Sequence, residues 1–535
     1  MQKKNRFIPL NIERPRNIKN DLLSGLTVAL ALVPEAVAFS FVARVDPVIG
    51  LYAAFMMGLI TAVFGGRPGM ISGATGAVAV IYAPLMIGLH EQGITSFNAE
   101  SYLFTAVILM GIIQILFGLF KLGKFIRLVP HSVMLGFVNG LAIVIFISQF
   151  EMFYEGHGDT AHILPIFSFS IMLILTLITM AISIILPRFT KAIPATLVSI
   201  IIVTLIAVTL RNSGIHDSRT VLDFVQNMDP SKTTIAASFP KFAIPEIILN
   251  FETLKLIFPF SLLAAAVGLI ESLMTLTLID EITESRGRGN KECIGQGFAN
   301  VVNGFFGGMG GCAMIGQSMI NIRGGGRGRL SGISAALFLL AFLLFAAPLV
   351  EIIPLAALTG VMFMVVIGTF EWSSLRILHS IPRIDAFVII LVSAVTVIYD
   401  LAIAVLVGII VSALGFAWEQ GKKMRATIST SSNGDKIYHL ESALFFGSAQ
   451  SFKKLFDIKN DPEHIIIDFE QAKVYDHSGI EAIENITRRY SQQNKKIHLL
   501  NLSEECGKLL SKTDNIVELS FIDNVDYHIA DDRLA

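Results

Sequence analysis

Residues 22–43 read LLSGLTVALALVPEAVAFSFVA, and a single charged side chain, Glu35, interrupts them. A helix needs a run of about this length to cross a bilayer, since roughly 20 residues cover the hydrocarbon layer. The pattern recurs as far as residue 418. Apolar spans are expected at 24–43, 48–64, 75–89, 101–120, 128–149, 164–186, 194–210, 253–279, 294–306, 314–322, 331–350, 354–370, 384–399 and 400–418. The third and tenth of these fourteen are too short to cross alone. Charged residues make up 16% of the chain, against roughly 25% in soluble globular domains. That deficit points to lipid contact rather than to a large aqueous core.

Loop charge gives the chain a direction, because cytoplasmic loops are enriched in Lys and Arg. The start, MQKKNRFIPLNIERPRNIKN, is basic and runs too long before its apolar stretch for a cleaved signal peptide. Even-numbered loops carry Lys121, Lys124 and Arg127; Arg188 and Lys191; Arg286, Arg288 and Lys291; Arg323, Arg327 and Arg329; Arg376 and Arg383. Most odd-numbered loops, EQGITSFNAE, EMFYEGHGDTAH and EIIP, carry neither residue, while the long 211–250 segment is mixed, as long translocated loops often are. Both termini are therefore expected in the cytoplasm. A net charge of −1 gives no reason to expect a nucleic-acid partner. Cys293, Cys312 and Cys506 are distant from one another and odd in number, which excludes a disulfide framework or a metal-spaced pair.

Composition changes near residue 425. KIYHLESALFF, HIIIDFE and KIHLLNL read as strands, and SGIEAIENITRRYSQQN and SEECGKLLSKT as amphipathic helices. Strands alternating with helices predict a small cytoplasmic α/β domain. The expected organisation is a cytoplasmic segment at 1–20, a transmembrane domain at 21–424 and the α/β domain at 425–535.

Within the apolar region, FFGGMGGCAMIGQSMIN (305–321) has a counterpart in VFGGRPGMISGATGAVAV (63–80). Both follow a span ending in Phe-Gly-Gly, pass through small residues and run into a short apolar helix. Each is preceded by a span holding one glutamate, Glu35 or Glu271. Seven spans separate equivalent elements, and because seven is odd, the second copy must run inverted. Inverted repeats with broken helices are a transporter signature. The glycines are expected to bring backbone to a ligand between two half-helix starts, each carrying free N–H groups and about +0.5 charge. Two such starts facing each other form an anion site without a lysine. Glycines of this kind also serve close helix packing.

An intramembrane carboxylate costs roughly 2.5 kcal/mol or more, which favours a functional role for Glu271 and Glu35. Glu271 suits either a proton or sodium, and Thr275 lies one turn on along the same face. Either carboxylate could instead bond the free N–H groups of the opposite half-helix. Gln317 and Ser318 face the site or bond neighbouring helices. His131 is expected at a membrane edge rather than in a proton relay.

These residues resemble the sulfate permease (SulP) family of anion transporters. The marks are VPEAVAFS, SGATGAVAV, GLIESLMTLTLIDEIT and NKECIGQGFANVVNGFFGGMGG, with HIIIDFEQAKVYDHSGIEAI resembling the family's STAS domain. Within the family the chain looks most like cyanobacterial sodium-dependent bicarbonate transporters. The resemblance implies an all-α membrane fold of 14 segments in a 7+7 inverted repeat. Spans 1–4 and 8–11 would form a core, and spans 5–7 and 12–14 a gate. It also implies a homodimer in the plasma membrane and elevator movement of the core. By resemblance, Thr75 with Gly76 and Ala77, and Ala313, Met314, Ile315 and Gln317, bind substrate. Glu271, Thr275, Ala313 and Ile315 would hold the coupling ion, with sodium at Glu271 and Thr275. The acid here is Glu, as in relatives held to be proton-coupled, so Na⁺ and H⁺ both remain open. In DHSG, Ser478 matches a phosphorylatable position, although Asp476 and Ser478 are better read as caps of the next helix.

The expected activity is import of bicarbonate or sulfate by cation symport, with no organic cofactor. The alternatives are a dicarboxylate or nucleobase carrier, an uncoupled channel or exchanger, and a membrane anchor for a STAS domain with its own cytoplasmic partner. No nucleophile–base pair or phosphate loop appears, and RGGGRGR lacks the Lys-Ser/Thr ending of such a loop, so no enzyme is expected.

Overall fold

Helices dominate because backbone groups in a bilayer must satisfy one another within a segment. The computed structural model describes residues 18–94, 96–123, 129–155, 162–189, 194–213, 219–228, 239–247, 250–399, 401–431, 434–502 and 519–521. The basic residues Lys124, Arg127 and Lys191, the expected helix SEECGKLLSKT and Cys506 lie outside the described residues.

The first helices are α1 (Ile18–Val42), α2 (Pro47–Phe64), α3 (Gly76–Glu91), α4 (Ser96–Leu119), α5 (His131–Phe150), α6 (Ile166–Phe189), α7 (Ala195–Asn212) and α8 (Val221–Met228). They are followed by α9 (Phe251–Thr283), α10 (Gly289–Phe305), α11 (Ile315–Arg323), α12 (Arg329–Glu351), α13 (Leu355–Thr369), α14 (Trp372–Ile377), α15 (Arg383–Ile398) and α16 (Leu401–Lys422). Every apolar range named from the sequence overlaps one of these helices. Among the described residues, nine helices are long and apolar enough to cross a membrane by length and composition. The short helices α8 and α14 carry no span-length apolar run and were not expected.

Two tiny sheets interrupt the helices. β1 (Ser72–Gly73) pairs antiparallel with β4 (Cys312–Ala313), while β2 (Tyr154–Glu155) pairs with β3 (His162–Ile163). Helix packing falls into exchanged pairs. α1 packs on α12 and α9 on α4; α2 packs on α12 and α10 on α4; α11 packs on α1 and α3 on α9. A second group joins α5 to α15 and α13, and α6 to α13 and α7. The α4–α10 crossing is tight because glycines face each other: a Cβ on Gly111 would sit 2.5 Å from the Gly297 carbonyl oxygen.

The chain divides into two compact units between Gly408 and Ile409, within α16. The second unit holds a five-stranded sheet in the order β5 (Ala426–Thr430), β6 (Lys436–Leu440), β7 (His464–Asp468), β8 (Lys496–Leu502), β9 (Leu519–Phe521). β5 runs antiparallel to β6, and the rest are parallel. The sequence pattern does not reveal β5, which is short and mostly polar, or β9, which is only three residues long. The remaining helices among the described residues are α17 (Ala449–Lys453) and α18 (His477–Ser491). Ile480, Ile483, Ile486 and Tyr490 put one stripe of α18 into the core, against Ile465, Ile467 and Leu499. The Asp461 side chain is fully buried and accepts hydrogen bonds from Lys436 at 2.5 Å, from Tyr438 at 2.8 Å and from Tyr490.

Candidate functional site

The two short helices start beside each other because the strands that lead into them are paired. Ser72 opposes Ala313, Gly73 opposes Cys312, and the Met314 N–H donates to the Ile71 carbonyl at 2.9 Å. Thr75 and Met314 occupy the N-cap positions of α3 and α11, in extended backbone, and neither side chain caps its helix. The first-turn N–H groups of both helices are thus left without a side-chain partner from their caps.

The starts open on a cavity of about 570 Å³. Its wall includes Thr75, Gly76 and Ala77 from one helix start, and Met314, Ile315, Gly316 and Gln317 from the other. Phe39, Phe137 and Leu141 give it an apolar side. Among the described residues, the titratable wall residues are Glu35, Glu271, Glu281, Glu371 and His131, with no lysine or arginine. His131 also lines the hollow; it is the first residue of α5 and remains exposed.

Glu35 and Glu271 each have a defined donor. Gln317 donates its amide to Glu35. The Cys312 thiol donates to Glu271 Oε2 at 3.0 Å, and the same sulfur lies 3.3 Å from Thr75 Oγ1. The carboxylates thus bond side chains of the second short helix and its lead-in strand rather than bare half-helix N–H groups. Thr275 and Ala313 lie behind the wall. Thr275 Oγ1 donates to the Glu271 carbonyl at 2.8 Å and reaches the Ala313 carbonyl at 3.5 Å. The Ala313 N–H donates to Ser272 Oγ at 3.1 Å. Ser318 is fully buried and accepts from the Ile71 N–H at 2.9 Å. It holds the strand pair and is not part of the cavity wall.

The glycine cluster works differently from the expectation. None of residues 307–311 lines the cavity. A Cβ on Gly311 would stand 2.0 Å from the Gly73 carbonyl oxygen, so this glycine brings backbone to backbone rather than to a ligand. Polar side chains brace the crossing. The Asn300 amide donates to the Gly311 carbonyl at 3.0 Å and accepts from the Gly311 N–H at 3.0 Å, and Gln296 donates to Ser72 at 2.7 Å. Asn300, Gln296, Ser272 and Cys312 were missed from the sequence. Buried polar residues at these places inside apolar helices were the available signal. In the second unit, Asp476 caps α18 by accepting from the Gly479 N–H at 2.9 Å, while Ser478 lies inside the first turn.

Paired short helices meeting at a cavity in a polytopic helical bundle, with an α/β domain attached, define a membrane transporter class. Residues 18–392 match the sulfate permease family, and residues 427–528 match the STAS domain. The chain belongs to the sulfate permease family of membrane anion transporters. It is 42% identical to the putative sulfate transporter YbaR of Bacillus subtilis over 498 residues, covering 93% of this chain and 97% of that one. It is 29% identical to the bicarbonate transporter BicA of Picosynechococcus sp., over 93% and 91% of the two chains. The solved transmembrane domain of a cyanobacterium BicA superposes with TM-score 0.65 at 30% identity, covering 74% of this chain and 98% of that one. The murine Slc26a9 anion transporter in its inward-facing state shares the fold, with TM-score 0.78 at 17% identity over 94% and 88% of the chains. These relatives are transporters rather than enzymes.

Proposed function

We propose that this chain imports a small inorganic anion, bicarbonate or sulfate, together with Na⁺ or H⁺. The observation that carries the reading is the wall of one cavity, where two uncapped helix starts share space with Glu35 and Glu271. Two helix starts supply about +1 charge in all, whereas the wall also carries four glutamates, Glu35, Glu271, Glu281 and Glu371. An anion arriving alone would therefore meet net repulsion, with no lysine or arginine among the described wall residues to offset it. A cation bound at Glu271 lowers that barrier, which makes symport the simplest account. Thr275 Oγ1, which bonds the Glu271 backbone carbonyl and reaches the Ala313 carbonyl at 3.5 Å, and that carbonyl are the further oxygens sodium would need, and a proton needs the carboxylate alone.

The architecture we infer is fourteen spans in two inverted halves, with α1–α4 and α9–α12 moving as an elevator core against a gate of α5–α7, α13, α15 and α16. The exchanged helix pairings support this division. The charge of the loops supports cytoplasmic termini in a plasma membrane, and the family resemblance supports a homodimer.

The test is uptake of labelled bicarbonate, sulfate and fumarate into proteoliposomes under imposed Na⁺ or H⁺ gradients. Concentrative uptake of one inorganic anion with one gradient is expected. Flux that ignores both gradients would mark a channel or exchanger instead, and uptake of fumarate alone would mark a dicarboxylate carrier. Truncation after residue 424 should leave uptake measurable, because the site lies wholly in the first unit; its complete loss in an inserted, monodisperse fragment would assign the working part to the STAS domain.

A further inference from the structure

Cys312 is fully buried on β4, between the acid of α9 and the start of α3. Its sulfur touches one residue assigned to the cation and one assigned to the anion. A thiol has a single hydrogen, and here it is directed to Glu271 Oε2 at 3.0 Å. The contact with Thr75 Oγ1 at 3.3 Å must then use the hydrogen of the Thr75 hydroxyl. Thr75 thus commits its only side-chain donor to sulfur, and it makes no cap bond to its own helix. In this arrangement the anion tip of α3 offers backbone N–H groups but no free hydroxyl hydrogen.

We propose that Cys312 is a positioning residue that links cation loading at Glu271 to anion affinity at Thr75. The inference rests on the symport reading above and names the group that performs the coupling. A cation arriving at Glu271 competes with the thiol for Oε2. The released thiol hydrogen turns to Thr75 Oγ1, which accepts it, and the Thr75 hydroxyl hydrogen is freed toward the cavity. No covalent bond changes; the direction of two hydrogen bonds reverses. By linkage the anion in turn tightens the cation. The other ionisable groups on the cavity wall, Glu35 on α1, His131 on α5, Glu281 on α9 and Glu371 before α14, have no hydrogen bond to this sulfur. Glu35 is engaged by Gln317.

The experiment measures the KM for bicarbonate and sulfate of the full chain in proteoliposomes, at low and high Na⁺ with pH fixed, and at two pH values with Na⁺ fixed. In the wild type, KM should fall as the driving cation rises. Cys312→Ser keeps a donor and an acceptor in place and should retain that dependence. Cys312→Ala leaves the Thr75 hydroxyl with no sulfur to bond, so its KM should sit at the cation-saturated wild-type level even without cation, about five-fold below the cation-free wild type, the worth of one net hydrogen bond. Its KM should no longer respond to the cation, and its maximal rate should stay within about three-fold. Thr75→Val should instead fix KM at the high, cation-free level whatever the cation, and adding Cys312→Ala to it should change nothing further. A Cys312→Ala protein whose KM still tracks the cation as in the wild type would overturn the relay and leave the symport reading intact. A wild type that moves neither anion would overturn both.

Discussion

Gly311→Ala should separate the two short helices without unfolding the bundle. The added methyl carbon would lie 2.0 Å from the Gly73 carbonyl oxygen, 2.8 Å from the Gly73 carbonyl carbon and 3.3 Å from the Ala74 nitrogen. Ordinary carbon contacts begin near 3.5 Å, so β1 and β4 must part by about 1.5 Å. All three obstructing atoms are backbone, and no side-chain rotation can relieve them. Parting the strands leaves at least two backbone groups without partners where water is scarce. At about 1–3 kcal/mol each, the loss is about 2–6 kcal/mol, a large share of a typical 5–15 kcal/mol stability. Anion uptake should fall more than ten-fold, and the apparent Tm of the detergent-solubilised protein should drop by several degrees. Gly316→Ala is the control: nothing lies within 4 Å of its Cβ position, so Tm should hold, while the KM rises because Gly316 lines the cavity. A Gly311→Ala protein with wild-type Tm and uptake would refute the claim that backbone approach fixes the site.

Glu271→Gln retains an oxygen for the Cys312 thiol but removes the negative charge, so gradient-driven uptake should vanish while the protein stays monodisperse. Full coupled uptake would remove Glu271 from the mechanism. Asp461→Ala leaves Lys436, Tyr438 and Tyr490 without their shared buried acceptor. About 3–5 kcal/mol should be lost from the STAS domain, seen as faster limited proteolysis of the region after residue 425. Burial alone would raise the Asp468 carboxyl, but donation from the Glu470 N–H at 3.0 Å, the Asn501 amide at 2.7 Å and His439 at 2.7 Å holds it below its ordinary range. Its contribution is complete above the unfolded value near 3.9 and is lost as pH falls through the lower folded value. The proteolytic resistance of this domain should therefore decline below about pH 4, and Asp468→Asn should flatten that decline.

The sequence alone determined the helical class and the position of the short-helix pair. Runs of about 20 apolar residues admit few structures in lipid, and Phe-Gly-Gly twice, each after a span bearing one glutamate, marks where the two short helices begin. It also placed Thr75, Met314 and Gln317 at the helix starts that line the cavity. What it left undecided was which groups meet. Cys312 looks inert beside its neighbours in GGCAMIG, and only the strand pairing sets its sulfur between residues 41 and 237 positions away in sequence. The same pairing turned the glycines from ligand contacts into a backbone crossing. Periodicity and composition report the face and medium of a segment, whereas a hydrogen bond between distant segments depends on register and crossing distance, which are fixed only when the whole bundle packs.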